Sequence, residues 1–252
     1  MANYQYFEPP LATGGEKVVY RGICIETGLD VAVKCLRQPY GQRDVQHFAH
    51  EIDRARAGAG TGIAQILDFN VNWAPPFYIE EYFPEGTLAK LVEHVIRARR
   101  VFPVRTALNC CRQILAQLAG LHGPNIIHRD VKPSNALLRG NDVVLSDMGI
   151  GRTLDRPTML QTQAFRGTPA YAAPEQALVG LAVDHRADLY AVGVILHELL
   201  TGKRGAYNYV SFVGDARLVN LVKSLLALNP AHRPASAHHA IGVMDAILAY
   251  HP

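Results

Sequence analysis

At Pro84-Glu85-Gly86 the apolar residues of this chain stop recurring at strand spacing and begin to recur at helix spacing. Upstream, residues 18–25 and 30–36 are short β-branched runs separated by Glu26-Thr27-Gly28-Leu29, a spacing that predicts a hairpin. Residues 42–57 carry Val45, Phe48, Ile52 and Ala55 at helical intervals. Residues 64–71 and 77–83 read as two further strands, with a turn at Asn72-Trp73-Ala74-Pro75-Pro76 between them. Downstream, residues 87–99 and 103–121 read as helices. Pro103 suits a first helical position, and Leu108, Cys111, Leu115, Leu118 and Leu121 form one apolar stripe. Two short strands, around 136–138 and 143–146, flank the turn Gly140-Asn141-Asp142, and helices return at 187–200, 216–227 and 237–249. A long stretch, 147–175, has neither period, and a loop of that length is usually functional. The expected class is α+β and bilobal. A small antiparallel β-rich lobe with one main helix covers about 1–83, a hinge about 81–86, and a larger α-helical lobe about 87–252. All of it forms one catalytic-size domain, and a cleft between two such lobes is a natural ligand site.

At 252 residues and 49% hydrophobic content, the chain can bury cores of this size. The formal net charge is only +3, which gives no pull toward nucleic acid. The densest basic patch, Arg97, Arg99 and Arg100, reads as a solvated helix end. No run approaches the roughly 18 apolar residues that span a bilayer, and residues 1–10 lack a signal-peptide pattern. Cytoplasmic placement, with no membrane partner, is the expectation. Cys24, Cys35, Cys110 and Cys111 lack metal-ligand spacing and read as reduced, mostly buried thiols.

Three segments carry chemistry. The first is His128-Arg129-Asp130-Val131-Lys132-Pro133-Ser134-Asn135. Its fixed set at 128, 129, 130, 132 and 135 would arise by chance in about one in ten thousand chains of this size, so a mere hydrogen-bonded turn is a poor account of it. The second is Val31-Ala32-Val33-Lys34, in which strand alternation puts Ala32 and Lys34 on one face. The third is Asp147-Met148-Gly149, directly after a short strand. Farther on come Gly167-Thr168-Pro169-Ala170-Tyr171, Ala173-Pro174-Glu175, Asp188 at the start of an apolar helix, and Arg233 within Asn229-Pro230-Ala231-His232-Arg233-Pro234.

In order and spacing these segments resemble the protein kinases, and in style the bacterial Ser/Thr kinases of eukaryotic type, over about residues 11–249. The resemblance implies a Ser/Thr protein kinase that uses ATP with magnesium, or manganese in its place. Protein substrates are its expected partners, and self-association would allow autophosphorylation. It implies that Asp130 orients the acceptor hydroxyl or takes its proton, and that Lys132 neutralises charge on the moving group. Asn135 and Asp147 would hold the metal. Lys34 would bind the α- and β-phosphates, held by Glu51, and Thr168 would stand beside the acceptor site. Leu11, Ala12, Gly14, Gly15, Val19, Ala32, Lys34, Leu137 and the backbone of Glu81 and Phe83 would line the nucleotide site. Thr158 and Thr162 become candidate phosphorylation sites, with Arg129 and Arg166 as receivers of the phosphate. Glu175 and Arg233 would pair, and Asp188 would anchor the catalytic loop from below.

The sequence departs from the family at four places. The phosphate-covering loop reads Ala12-Thr13-Gly14-Gly15-Glu16-Lys17-Val18-Val19 and keeps only the middle glycine, Gly14. Lys17 there either adds charge near the phosphates or points to water. Glu80 stands at the position that guards the back pocket, where a buried carboxylate needs a partner or a raised pKa. Met148 replaces a phenylalanine, and the stretch from Gly202 to Asn229 is short. These departures keep open a pseudokinase that binds nucleotide as a scaffold. A kinase for small molecules is a third reading, which the Gly167-Thr168-Pro169 segment disfavours.

Overall fold

The hairpin read from residues 18–36 forms, and a strand precedes it. The computed structural model describes residues 3–148, 170–178, 181–204 and 215–250, and the chain divides into two units, Met1–Pro84 and Glu85–Pro252. The first unit runs β1 (Tyr4–Thr13), β2 (Lys17–Cys24), β3 (Asp30–Leu36), α1 (Gln42–Ala57), β4 (Ile66–Asn70) and β5 (Phe77–Glu81). Its sheet is antiparallel in the order β1-β2-β3-β5-β4.

β1 was not visible in the sequence. Its Glu8-Pro9-Pro10 stretch breaks the ladder, whose register jumps from Phe7↔Arg21 to Ala12↔Val19. Proline gives a ladder no N–H, so this strand can lie only at an edge. Most of it is exposed, so no apolar alternation marks it. Central β3, by contrast, is buried on both faces from Val31 to Leu36. Val31, Val33, Cys35, Phe77 and Ile79 pack one face of the sheet with Tyr4, Tyr20 and Cys24. Leu36 and Tyr78 face Phe48 and Ile52 of α1 on the other. α1 starts where Asp44 Oδ2 accepts the Gly41 N–H at 2.8 Å, and its acid sits favourably in the first turn.

The second unit contains α2 (Leu88–Arg97), α3 (Val104–His122), β6 (Ala136–Arg139), β7 (Asp142–Leu145), α4 (Pro174–Ala177), α5 (Arg186–Thr201), α6 (Ala216–Leu225) and α7 (Ala237–Leu248). Pro103 is the residue that caps α3 rather than its first helical residue, in an extended conformation where its missing N–H costs nothing. The short α4 begins at the end of the segment expected to be loop. α5 is buried almost all round, which explains its apolar composition, interrupted only by Asp188, His197 and Glu198 between its end residues. Its Gly193 lets α6 approach: a Cβ there would lie 2.7 Å from Leu225 Cβ and 3.1 Å from Leu226 Cδ2.

α3 also holds the hairpin β6–β7. Gln117 Nε2 donates to Val143 O at 2.6 Å and its Oε1 accepts from Leu145 N at 2.8 Å, while Gln113 Oε1 accepts from Val143 N at 2.8 Å. Two glutamines one turn apart thus serve the outer edge of β7 as a neighbouring strand would. The described cysteines are free thiols, and burial pushes Cys35 up to about 11 and Cys110 to about 12. Among the described residues, no helix is long and apolar enough to cross a membrane.

Candidate active site

In the first unit, antiparallel register collects charge on the face of the sheet that meets α1. Lys17 lies opposite Leu36, Val19 opposite Lys34, Lys34 opposite Tyr78, and Ala32 opposite Glu80. Lys34 Nζ stands 2.6 Å from Glu80 Oε2, with both side chains at most 5% exposed. The approach is that of an ion pair, off hydrogen-bond geometry. Burial of Glu80 therefore comes with a cationic partner, as a carboxylate in that position requires.

The second lysine does not point to water. Lys17 Nζ donates to Glu51 Oε1 at 2.5 Å, and the Tyr78 hydroxyl donates to the same oxygen at 3.1 Å. Glu51 is buried on α1. Both ammonium groups lie near the Tyr78 ring, 5.6 Å from its centroid for Lys17 and 5.5 Å for Lys34. Lys34 and Glu51, which the sequence reading pairs, both belong to this charged cluster around Tyr78; Lys17 and Glu80 are its further members. The signals for them were the departures themselves, a lysine in the phosphate-covering loop and a glutamate at the position that guards the back pocket.

The other nucleotide-site candidates of this unit are arranged by the same ladder. Ala12 pairs with Val19, which pairs with Lys34, and Leu11 is 42% exposed beside them on β1. Gly14 and Gly15 form the turn, closed by Gly14 N–H on Lys17 O at 2.8 Å. Glu81 N donates to Gln65 O at 3.2 Å, and Phe83 is buried.

In the second unit the catalytic-loop candidates converge. Lys132 Nζ donates to Asp130 Oδ2 at 2.7 Å. Asn135 Nδ2 donates to Asp130 O and to Asp130 Oδ2, each at 2.9 Å. Asp147 follows β7, and Ser146 N donates to Asn135 O at 2.8 Å, so the open end of the hairpin brings residues 135 and 147 side by side. Leu137 sits on β6 opposite Val144. Asp147 and Arg129 both have positive φ, 57° and 67°. Non-glycine residues in that region cost about 1–3 kcal/mol each and persist only where surroundings hold them.

Those surroundings can be named. Asp188 of α5 accepts the backbone N–H of His128 at 2.9 Å and of Arg129 at 2.8 Å. His122 Nε2 meets the same carboxylate at 2.9 Å. Gln176 of α4, which the sequence reading passed over, donates to Arg129 O at 3.1 Å. His128 is fully buried, and desolvation pushes its pKa below the ordinary value. Below α4, Arg233 Nη1 and Nη2 grip Glu175 Oε1 and Oε2 at 2.6 and 2.8 Å. Tyr171 donates to the buried carboxylate of Glu198 at 2.5 Å. Thr158, Thr162, Arg166, Gly167 and Thr168 lie outside the described residues.

The donor set Asn135 and Asp147 suits a hard divalent cation. Both offer oxygen, and the Asn135 amide nitrogen is engaged with Asp130, which leaves Oδ1 as its coordinating atom. What the second unit presents is a carboxylate flanked by an ammonium group and a pair of oxygen ligands, on a loop fixed by backbone hydrogen bonds. Such an arrangement can orient a hydroxyl and balance charge on a transferring group.

A sequence model of one family, described as the protein kinase domain, matches residues 7–244. Serine/threonine-protein kinase PknL of Mycobacterium tuberculosis is 34% identical over 212 residues, 82% of this chain and 50% of PknL. The probable serine/threonine-protein kinase SCO3848 of Streptomyces coelicolor is 36% identical over 218 residues, 82% of this chain and 31% of that protein. Serine/threonine-protein kinase PrkC of Bacillus subtilis is 32% identical over 222 residues, 86% of this chain and 32% of PrkC. The chain thus spans half or less of the length of these relatives.

Proposed function

This chain belongs to the protein kinase family, and from that membership we propose that it transfers the γ-phosphoryl group of ATP to serine or threonine hydroxyls of protein substrates. The observation that carries the reading is the cluster of Asp130, Lys132 and Asn135 beside Asp147, every member of the family's reacting set being present. The serine/threonine preference draws on the names of the relatives and on Lys132 in the catalytic loop.

In this reading Asp130 receives the hydrogen bond of the acceptor hydroxyl and holds its oxygen in line with the phosphorus. Lys132, already on Asp130 Oδ2, neutralises negative charge on the phosphoryl group as it moves to the acceptor. Lys34 binds the phosphate chain, and Glu51 and Tyr78 belong to the same charged cluster. Asn135 and Asp147 would hold magnesium, which when bound supplies neutralisation of the phosphate oxygens. Asp188 and Gln176 keep the catalytic loop in its strained course before substrate arrives. Thr158 and Thr162 are the proposed sites of autophosphorylation.

The test is phosphoryl transfer from labelled ATP with magnesium, comparing wild type with Asp147→Asn, with a generic basic protein as acceptor and intact mass as the readout of self-modification. Label that depends on Asp147 supports the reading, and its position tests Thr158 and Thr162. Absence of label where ATP still binds would instead point to a nucleotide-binding scaffold.

A further inference from the structure

We infer that Lys17 is a second phosphate-binding lysine, acting with Lys34 on the polyphosphate chain of the nucleotide, and that Glu51 and Glu80 are the positioning carboxylates of the pair. The inference rests on the kinase reading above. Relative to the family pattern this face carries one extra carboxylate, Glu80, and one extra ammonium, Lys17.

Glu80 alone would be a liability at a phosphate site. It is 2% exposed and stands 2.6 Å from Lys34, so a polyanion approaching that ammonium also approaches a desolvated negative charge. A further cation on the same face offsets it. Lys17 and Lys34 sit on adjacent strands as diagonal neighbours, since Lys17 faces Leu36 and Lys34 faces Val19. Their ammonium groups lie at similar distances from the Tyr78 ring, 5.6 and 5.5 Å.

Lys17 also has the anchoring that such a role needs. Glu51 Oε1, 2.5 Å away, fixes its ammonium to α1, and Tyr78 Oη lies 3.4 Å from it. Its backbone is fixed by the Gly14 turn, and Arg37 ties that turn to the end of β3 through Arg37 N to Glu16 O at 2.8 Å and Nη1 to Gly14 O at 3.0 Å. Yet its side chain remains 19% exposed against 5% for Lys34. Lys17 is therefore the cation an incoming anion meets first, and Lys34 the deeper one.

The experiment measures dissociation constants for ATP, ADP and adenosine with the wild type, Lys17→Met, Lys34→Met and the double variant, each checked for a cooperative thermal transition. Lys17→Met should weaken ATP and ADP at least tenfold and leave adenosine within twofold. The double variant should bind ATP no better than adenosine, and Lys17→Arg should recover most of the lost affinity. Should Lys17→Met prove unstable, Lys17→Gln carries the same expectation. ATP affinity within twofold of wild type in Lys17→Met overturns the inference. So does an equal loss for ATP and adenosine, the mark of a role in holding α1 alone. In both of those cases a large effect of Lys34→Met leaves the kinase reading standing, whereas a wild type that binds neither ATP nor adenosine overturns both.

Discussion

Arg233 holds Glu175 through two parallel hydrogen bonds, and both residues are at most 5% exposed. The guanidinium also donates to three carbonyls, those of Ala227, Arg186 and Leu228, and lies 4.9 Å from the Tyr190 ring. One side chain thus joins α4, the start of α5 and the turn after α6. Removal of one partner leaves a buried charge without its counterpart. Glu175→Gln should therefore cost about 3–5 kcal/mol in urea unfolding. Arg233→Lys should also destabilise, because an ammonium cannot serve both carboxylate oxygens and three carbonyls. A midpoint for Arg233→Lys equal to wild type would show that charge alone matters there.

Two helical glycines should respond to alanine in opposite directions. At Gly193 a Cβ would meet Leu225 Cβ at 2.7 Å, so Gly193→Ala should lower stability by about 1–3 kcal/mol through overpacking, in spite of alanine's better helix propensity. At Gly242 in α7 nothing lies within 4 Å, and Gly242→Ala should raise stability by about 0.5–1 kcal/mol. Thermal midpoints of the two variants check both signs at once.

Stability should fall as the medium turns mildly acidic. Burial lowers the pKa of His128 and of His197 below the ordinary 6.5. The unfolded chain then binds protons that the folded chain refuses, so stability rises with pH through the window just below 6.5 and is lost as pH descends through it. Urea midpoints should be level above about pH 7 and decline between about pH 6.5 and 5, ahead of carboxylate titration. Substituting His197→Phe should remove part of that decline; a slope unchanged by it would mean that this ring is not held neutral.

Transfer should depend on Asp130 far more than binding does. Its carboxylate is held by Lys132 and Asn135. Asp130→Asn keeps the shape and loses the charge, so kcat should drop about 10²–10⁴-fold, the usual worth of a proton-accepting group, with KM for ATP within about twofold. Steady-state kinetics on a peptide acceptor gives both numbers. A rise in KM with kcat intact would assign Asp130 to nucleotide binding instead.

Much of this molecule could be read before its coordinates, and the reason differs from element to element. α1 was legible to its end residues because Val45, Phe48 and Ile52 mark a single buried face. β3 was legible because its β-branched run fills a central strand. β1 was not, since an exposed edge strand with two prolines has no periodicity to detect. The proposed catalytic loop stands out through residue types that this chemistry demands, at 128, 129, 130, 132 and 135. Partner choice among Lys17, Lys34, Glu51 and Glu80 could not be read, because pairing depends on which side chains share a sheet face and how far each reaches. Gln113, Gln117 and Gln176 stayed hidden for a similar reason: amides that satisfy a distant backbone look in sequence like any exposed polar residue.

The hairpin of β6 and β7 has a consequence for how this protein can vary. Asn135 and Asp147 are twelve positions apart, yet their separation in space is set at the open end of the hairpin, where Ala136 faces Leu145 and Ser146 bonds Asn135. The Gly140 turn lies at the far end. Residues gained or lost at that turn would lengthen or shorten an appendage without altering the spacing of Asn135 and Asp147, the proposed oxygen ligands. The tip can therefore change in length at the cost of its own contacts, Gly140 N to Glu85 and Gln113 to Asn141 O, while the spacing of Asn135 and Asp147 depends on four residues at the base.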